Sequence, residues 1–212
     1  SADAYHWHYL PPAFDPALHK PSPPDPDGDC DVLMVGTGWP QRQAFLEAID
    51  WTGIKLKLFG IWPHMTPDSP LFGCVSQLIV DNQRVSGLYN AAKINLNINR
   101  QSDTALTPGP RQFELAGSGA FQLSDHRPET ERIFGDYIPT FRTPEELERL
   151  IQFYLAHPEE RALKAAGALD AACGEDFDSR VTVLINTMDE RFREREANGR
   201  RKLVVARDSR QQ

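Results

Sequence analysis

A short predicted helix near the middle of the chain begins with a cation, in the sequence TPGPRQFELAG. The prolines and the glycine before Arg111 interrupt any continuous helix or strand, so the helix has to start there. The first turn of a helix exposes unpaired N–H groups and about half a positive charge, and a cation there typically costs about 0.3 to 1 kcal/mol. A bound anion at this turn makes the cation favourable instead of unfavourable. Glu114, on the same helix face, can pair with Arg111 or accept hydrogen bonds from two neighbouring ligand hydroxyls, such as those of a ribose.

A second loop, VGTGWPQR, repeats this arrangement. Gly36 and Gly38 allow close approach of the backbone to a ligand, and Arg42 follows in the first turn of the next predicted helix. The loop is not a dinucleotide fingerprint, because Gln41 stands at the third glycine position, and it lacks the lysine of a P-loop. Alone, it favours a tight turn with a solvated arginine. Together, two helix N-termini that each carry a guanidinium suit a diphosphate, whose oxygens accept bidentate hydrogen bonds.

Short strands and helices alternate along the chain and position these two loops. Strands are predicted within 31–35, 54–60, 94–98, 120–123 and 137–141, and helices begin at or near Pro40, Val85, Arg111, Pro128, Pro144, Pro158 and Asp176. This alternation predicts an α/β fold, a Rossmann-like doubly wound parallel sheet with helices on both faces. Ligands of such sheets bind beyond the carboxyl ends of the strands, where both arginine-containing loops lie.

The composition argues against several classes of protein. The chain has 212 residues, of which 40% are hydrophobic, enough for one large domain. Its 23 Lys and Arg against 30 Asp and Glu give a net charge of -7, which argues against a dedicated nucleic-acid-binding protein and against a cationic membrane patch. No apolar run reaches the roughly 20 residues that span a bilayer. Three distant cysteines without a C-x-x-C pair predict a cytoplasmic protein with neither disulfides nor a zinc site.

Other residues with possible chemistry are better explained as structural. His6 and His8 form an H-x-H pair, but no third ligand stands near them, so no metal site is predicted. His126 follows a predicted strand and is more typical of a loop surface than of a sugar contact. Tyr89 and Phe153 fall at helical core spacing and are predicted to be buried.

Three longer segments resemble one known family, and they follow one another in its order and at its intervals: GLYNAAKINLNINR, PRQFELAGSGAFQLSD and IFGDYIPTFRTPEELERLIQFYLAHPEERALKAAG. The chain resembles the C-terminal half of CgeB-type proteins, a spore-protein-like group of glycosyltransferases with the GT-B fold. The resemblance implies that residues 29–188 form the nucleotide-sugar-binding, Rossmann-like C-terminal domain. It implies that residues 1–28 are an extended interdomain linker after an N-terminal domain not present in the chain. Residues 189–212 are predicted to be a polar helix end and tail.

The resemblance also implies ligand-binding residues, with a nucleoside diphosphate sugar as donor substrate and no permanently bound cofactor. The implied diphosphate contacts are Thr37, Gly38, Arg42, Gly109 and Arg111. The implied ribose contact is Glu114. The base is expected to be bordered by Trp62, Arg84 and Val85. No catalytic base is assigned, because this architecture commonly takes it from the N-terminal half.

Several functional questions stay open at this point. Leu106 stands where many related retaining enzymes have an earlier glutamate, so the stereochemical outcome is not predicted. The acceptor is unknown. A non-catalytic module for assembly, for instance on a spore surface, is an alternative function. Glycosylation of modified bases in DNA is a further alternative for this fold, although the net charge of -7 does not favour it.

Overall fold

The computed structural model describes residues 9–76, 80–100 and 106–208, with side chains described as far as residue 196. It divides into two compact units. The larger comprises Pro12–Asp176, and the smaller comprises the chain ends, Ser1–Pro11 and Phe177–Gln212. The smaller unit contains one long helix, α7 (Phe177–Asp208).

A sheet of five parallel strands forms the centre of the larger unit. The strands are β1 (Cys30–Val35), β2 (Leu56–Phe59), β3 (Ala92–Asn97), β4 (Gln122–Asp125) and β5 (Thr140–Phe141). Their order in the sheet is β2-β1-β3-β4-β5, which confirms the predicted parallel α/β architecture. The chain moves outward from β1 to β2 and then returns to place β3 on the other side of β1. At such a reversal the loops that follow β1 and β3 diverge and leave a crevice between them.

Six helices accompany the strands, and five of them begin with a proline. They are α1 (Pro40–Glu47), α2 (Val85–Ala91), α3 (Pro110–Gly117), α4 (Pro128–Phe134), α5 (Pro144–Ala156) and α6 (Pro158–Ala171). A proline is well tolerated at the first helical position, because its missing N–H would have no partner within the helix and its φ is already helical. The helices therefore start where the sequence predicts.

Apolar side chains cover both faces of the sheet, which explains the apolar run of β1 from Val32 to Val35. Val32 and Met34 pack in one cluster with residues of α5, while Leu33 packs in another with residues of α2. Successive side chains of a strand point to opposite faces, so a strand buried on both sides has no polar alternation. The sheet is therefore covered by helices on both faces. Ligands can reach it at the ends of its strands.

The proline-rich stretch before β1 packs more closely than its composition predicts. Phe14 is only 7% exposed, and a side chain added at Gly117 would overlap its ring. The Asp25 N–H donates to the Gly87 carbonyl at 2.9 Å. The compact unit therefore includes this stretch from Pro12 onward. An aromatic anchor within a polyproline-like segment accounts for this packing, since it supplies apolar area that prolines alone lack.

The helix of the smaller unit runs into the region predicted to be a polar helix end and tail. It continues as far as Asp208, the last residue that the structure describes. Several large apolar side chains of this helix are exposed, including Val181, Ile185 and Phe192. In the part of the chain that the structure describes, no helix has an apolar stretch long enough to cross a membrane.

Candidate functional site

The reversal of strand order brings the loop after β1 next to the loop after β3. Between them lies a cavity of about 370 Å³, here called the polar crevice, lined by the ends of both strands and by the first turns of α1 and α3. Five residues predicted from the sequence to contact a diphosphate or a ribose line this crevice: Thr37, Arg42, Gly109, Arg111 and Glu114. Segments more than 60 residues apart in sequence thus meet at the position where doubly wound sheets bind ligands.

Arg111 is held in place by a buried tyrosine and by its neighbour on α3. Its Nη1 donates to the Tyr89 hydroxyl and lies 3.5 Å from Oε2 of Glu114. Tyr89 is 1% exposed, and burial raises the pKa of its hydroxyl well above the usual value. Burial opposes the charge on Arg111, but Tyr89 and Glu114 outweigh that effect and raise the pKa of the guanidinium. The side chain is therefore a fixed cation at the crevice wall.

Tyr89 has a second role that helical spacing did not reveal. The sequence predicts only a core aromatic, and the residue is indeed buried, but its hydroxyl orients Arg111. Glu114 was open to two interpretations, as an ion-pair partner or as a hydroxyl acceptor. In this structure it forms the ion pair, and it still lines the crevice.

Arg42 is directed at the backbone of the crevice walls. Its Nη1 donates to the Thr37 carbonyl and its Nη2 to the Ile98 carbonyl, so the side chain links the loop after β1 to the end of β3. The pKa of Arg42 is lowered to about 10, mainly by burial and also by the charge of Arg111, while Asp125 opposes the shift. The guanidinium is still charged at neutral pH. Its Nε is buried, with no hydrogen-bond partner among the described residues.

The two glycines predicted to contact the diphosphate serve the packing of the loops. The Gly38 N–H donates to the Ile61 carbonyl at 2.8 Å, and a side chain at Gly38 would overlap the indole of Trp62. Gly38 does not line the crevice. The Gly109 N–H donates to Oδ1 of Asn99 at 2.8 Å. Gly109 lines the crevice, but its amide is already bonded.

Asn99 is a residue that the sequence analysis missed. Its backbone N–H and its Nδ2 both donate to Oδ1 of Asp125 at 2.8 Å, while its Oδ1 accepts from Gly109. One side chain therefore connects the ends of β3 and β4 to the start of α3. Its position directly beyond a predicted strand was the available signal, because that is where ligand-site residues of parallel sheets occur.

A second cavity of about 520 Å³ adjoins the first and is here called the apolar cleft. The apolar side chains of Val35, Ile61, Trp62, Val75 and Val85 line it together with Ser76 and Asn82, and it shares Thr37 and Arg111 with the polar crevice. Trp62 is 8% exposed, and its Nε1 has no hydrogen-bond partner in the described part of the chain. Two of the three residues predicted to border a base, Trp62 and Val85, therefore lie together.

The third of these residues, Arg84, lines neither cavity. Its guanidinium pairs with the carboxylates of Asp25 and Asp27, at 2.7 and 2.8 Å. These acids belong to the proline-rich stretch, which the sequence analysis treated as a linker without packing. The cation at the start of α2 is consequently neutralised away from both cavities.

Arg100 and Trp39 complete the outer end of the polar crevice, and the sequence analysis missed both. The Arg100 guanidinium carbon lies 4.8 Å from the centroid of the Trp39 ring, and both side chains are exposed. His126 is half-buried with Nδ1 3.4 Å from the Thr140 hydroxyl, and it lines neither cavity. His6 and His8 lie outside the described residues. Within the described ranges, no three His, Cys, Asp or Glu side chains are grouped so that they could hold a metal ion.

Comparison with known proteins gives one family. A family model described as glycosyl transferase-like matches residues 32–186. No curated protein matches the chain. Among solved structures, sucrose-phosphate synthase from Thermosynechococcus elongatus is similar with a TM-score of 0.63 at 13% identity, over 87% of this chain and 52% of that chain.

Two further structures are similar at comparable levels. HepE of Anabaena, in complex with UDP, has a TM-score of 0.60 at 15% identity, over 84% of this chain and 56% of that chain. The DNA-modifying enzyme β-glucosyltransferase, studied with and without its substrate uridine diphosphoglucose, has a TM-score of 0.55 at 19% identity, over 77% of this chain and 50% of that chain. The chain spans about half the length of these proteins. At such identities the likeness shows the fold.

Proposed function

Because the chain belongs to the glycosyl transferase-like family and its parallel sheet matches the C-terminal domains of GT-B glycosyltransferases, we propose that it is the donor-binding domain of such an enzyme. The donor is a nucleoside diphosphate sugar, and the reaction transfers a hexose to an acceptor that the missing half binds. We further propose that the enzyme is of the CgeB type. A cytoplasmic location is part of the proposal and rests on three free cysteines.

One observation carries this proposal: the switch point of the sheet joins a polar crevice containing cations to an apolar cleft. Arg42 and Arg111 place two positive charges at the crevice, and Arg111 lines both cavities. A nucleoside diphosphate has matching parts, since its ionised phosphates connect a flat base to the rest of the molecule. A ligand with an anionic centre at Arg111 would place its base beside Trp62 and its phosphates beside Thr37.

The same residues suit the chemistry of transfer. As the bond from the sugar to the diphosphate breaks, negative charge develops on the leaving phosphate. Fixed cations beside the diphosphate stabilise the transition state more than the ground state, because they need no reorganisation as the charge appears. Arg111, held by Tyr89, is such a cation. Glu114 would exchange its ion pair for the ribose hydroxyls.

The structures with UDP and UDP-glucose support this choice of ligand. HepE is described in complex with UDP and with UDP-glucose, and β-glucosyltransferase with uridine diphosphoglucose. These ligands are those of the other proteins, and they make uridine nucleotides the first probes for this chain.

Calorimetric titration with UDP, GDP and ADP tests the proposal. We expect saturable binding of at least one of them. If the folded protein binds none at millimolar concentration, the donor-site assignment is wrong, and a non-catalytic assembly module becomes the better explanation.

Glycosylation of DNA is a second candidate, favoured by the similarity in fold to β-glucosyltransferase. A labelled nucleotide sugar, incubated with the protein and with DNA that carries hydroxymethylated bases, would label the DNA if this candidate is right. The net charge of -7 argues that any DNA contacts come mainly from outside this chain.

A further inference from the structure

The terminal nitrogens of Arg42 are already used within the fold. Both donate to backbone carbonyls, one in the loop after β1 and one at the end of β3. A diphosphate in the crevice would be attracted by the charge of Arg42, but turning the guanidinium toward it would break the link between the two walls. The Thr37 carbonyl would keep its hydrogen bond from the Trp39 N–H at 3.0 Å, whereas the Ile98 carbonyl would lose its Arg42 donor, and an unbonded buried carbonyl is costly. Two of the five N–H groups of Arg42 are therefore committed to holding the crevice walls.

Arg100 differs from Arg42 in having an exposed side chain. It lines the same crevice, its side chain is exposed, and it rests on the face of the Trp39 ring with 4.8 Å from the guanidinium carbon to the ring centroid. A guanidinium stacked on an aromatic ring by its face keeps its N–H edge available for bidentate hydrogen bonds. The stack already restricts the conformations of the Arg100 side chain. Less conformational entropy is therefore lost when a ligand binds to it.

The position of Arg100 within the site indicates which phosphate it would meet. Arg111 lies where the polar crevice joins the apolar cleft, whereas Arg100 lines the crevice and not the cleft. If the base occupies the cleft, the phosphate next to the ribose lies near Arg111. The distal phosphate then lies on the side of Arg100. Among the described residues, three arginines and one glutamate line the crevice, and this excess of positive charge suits a diphosphate with two ionised phosphates.

We propose that Arg100 binds the distal phosphate of the donor while stacked on Trp39, and that Arg42 is a positioning residue that holds the crevice walls. The proposal rests on the proposed function and adds to it a residue that neither sequence spacing nor the comparisons assign. Trp39 is then the support that presents the guanidinium edge to the ligand.

Calorimetry with matched pairs of ligands tests this assignment without knowledge of the natural base. The probes are UDP with UMP, GDP with GMP, ADP with AMP, and inorganic pyrophosphate. For the pair that binds best to the unaltered protein, Arg100→Ala should weaken the diphosphate roughly tenfold to a hundredfold, as expected for one charge-assisted hydrogen-bonding group. The monophosphate should change by less than about threefold, because it lacks the distal phosphate.

Two further variants separate the roles. Arg132→Ala is the control, because Arg132 is exposed and pairs with Glu129 at 3.0 Å on α4. It removes the same charge outside both cavities and should leave every affinity unchanged. Trp39→Ala should reproduce part of the Arg100→Ala effect on diphosphates, whereas Trp39→Phe, which keeps an aromatic face, should retain most of the affinity.

The outcomes distinguish this inference from the proposed function. If the unaltered protein binds no probe, both fail. If it binds a diphosphate and Arg100→Ala binds it equally well, only the role of Arg100 is overturned. An equal loss for mono- and diphosphates would also overturn the placement at the distal phosphate. Thermal denaturation of Arg100→Ala should match the unaltered protein, since the side chain is exposed.

Discussion

At the scale of single residues, Arg111 is coupled to a hydroxyl that has no access to water. A cation at a helix N-terminus predicts, from the sequence alone, that its removal leaves stability unchanged or slightly raised. The structure reverses this expectation. Tyr89 is 1% exposed and accepts its hydrogen bond from Arg111, so the arginine stabilises the fold as well as the site.

Arg111→Ala should therefore reduce both stability and affinity. Loss of the donor leaves the Tyr89 hydroxyl without this partner, which should lower the free energy of unfolding by about 1 to 3 kcal/mol. Affinity for a nucleoside diphosphate should fall roughly tenfold to a hundredfold. Denaturant unfolding and calorimetry measure the two effects. Tyr89→Phe is the companion variant: it keeps the cation, and we expect a smaller loss of affinity from less exact positioning. Unchanged affinity in Arg111→Ala would remove this residue from the site.

Glu114→Gln tests the second interpretation of that carboxylate. If Glu114 accepts hydrogen bonds from ribose hydroxyls, the amide should weaken ribonucleotides more than the corresponding 2′,3′-dideoxynucleotides, which have no such hydroxyls. We expect a loss of roughly tenfold for the ribonucleotide and little change for the dideoxy analogue, measured by calorimetry. Equal losses for both analogues would assign Glu114 to the orientation of Arg111 alone.

At the scale of elements, the loops after β1 and β2 are joined by close packing at Gly38. An added methyl group would overlap the rigid indole of Trp62, and the Gly38 N–H donates to the Ile61 carbonyl at 2.8 Å. The shape of the apolar cleft therefore depends on a residue that does not line it. A glycine at this position is required by the ring opposite and not by a ligand.

Gly38→Ala should displace Trp62 and narrow or distort the apolar cleft. Forced overpacking typically costs about 1 to 3 kcal/mol, so the free energy of unfolding should fall by that amount. Binding of UDP should weaken, whereas binding of pyrophosphate, which needs no cleft, should be nearly unaffected. Gly73→Ala is the matched control, because no atom lies within 4 Å of an added methyl group there. If Gly38→Ala binds both ligands normally, the cleft does not hold the base.

Arg42→Ala should open the link between the walls of the crevice. The Ile98 carbonyl loses its Arg42 donor, whereas the Thr37 carbonyl keeps the hydrogen bond from the Trp39 N–H at 3.0 Å. We expect a loss of about 1 to 3 kcal/mol in the free energy of unfolding, measured with denaturant. Arg42→Lys keeps the charge but offers only one nitrogen, so it should restore part of the affinity and little of the stability. A stable Arg42→Ala with weak diphosphate binding would instead make Arg42 a direct ligand.

The sequence predicts the elements of this fold better than it predicts the contacts between them. Alternating apolar periods and first-turn prolines locate the strands and helices, and the strand-end rule places Arg42 and Arg111 at one edge. The contacts that it does not predict join distant segments. Arg84 pairs with Asp25 and Asp27, which lie 59 and 57 residues earlier in the chain. No local sequence pattern predicts that pairing. The role of Tyr89 depends likewise on α2 packing beside α3.

At the scale of the whole molecule, any ligand that binds only the folded state should raise its stability. At a ligand concentration one hundred times Kd, the gain is about 2.7 kcal/mol, which thermal denaturation detects readily. We expect a rise in Tm with the diphosphate that binds best, and a smaller rise for Arg100→Ala at the same concentration. A rise of the same size in both proteins would contradict the assigned contact.

The order of the strands has a kinetic consequence. Cys30 pairs with Ala92, and α1, β2 and α2 occupy the chain between these partners. Such distant pairings form slowly, because the entropy of closing the intervening loop is lost before the contact gains anything in return. The polar crevice exists only where β1 and β3 lie side by side. During refolding, helical signal should therefore appear before the capacity to bind a nucleotide, and a stopped-flow trace with a fluorescent diphosphate should lag behind far-ultraviolet circular dichroism.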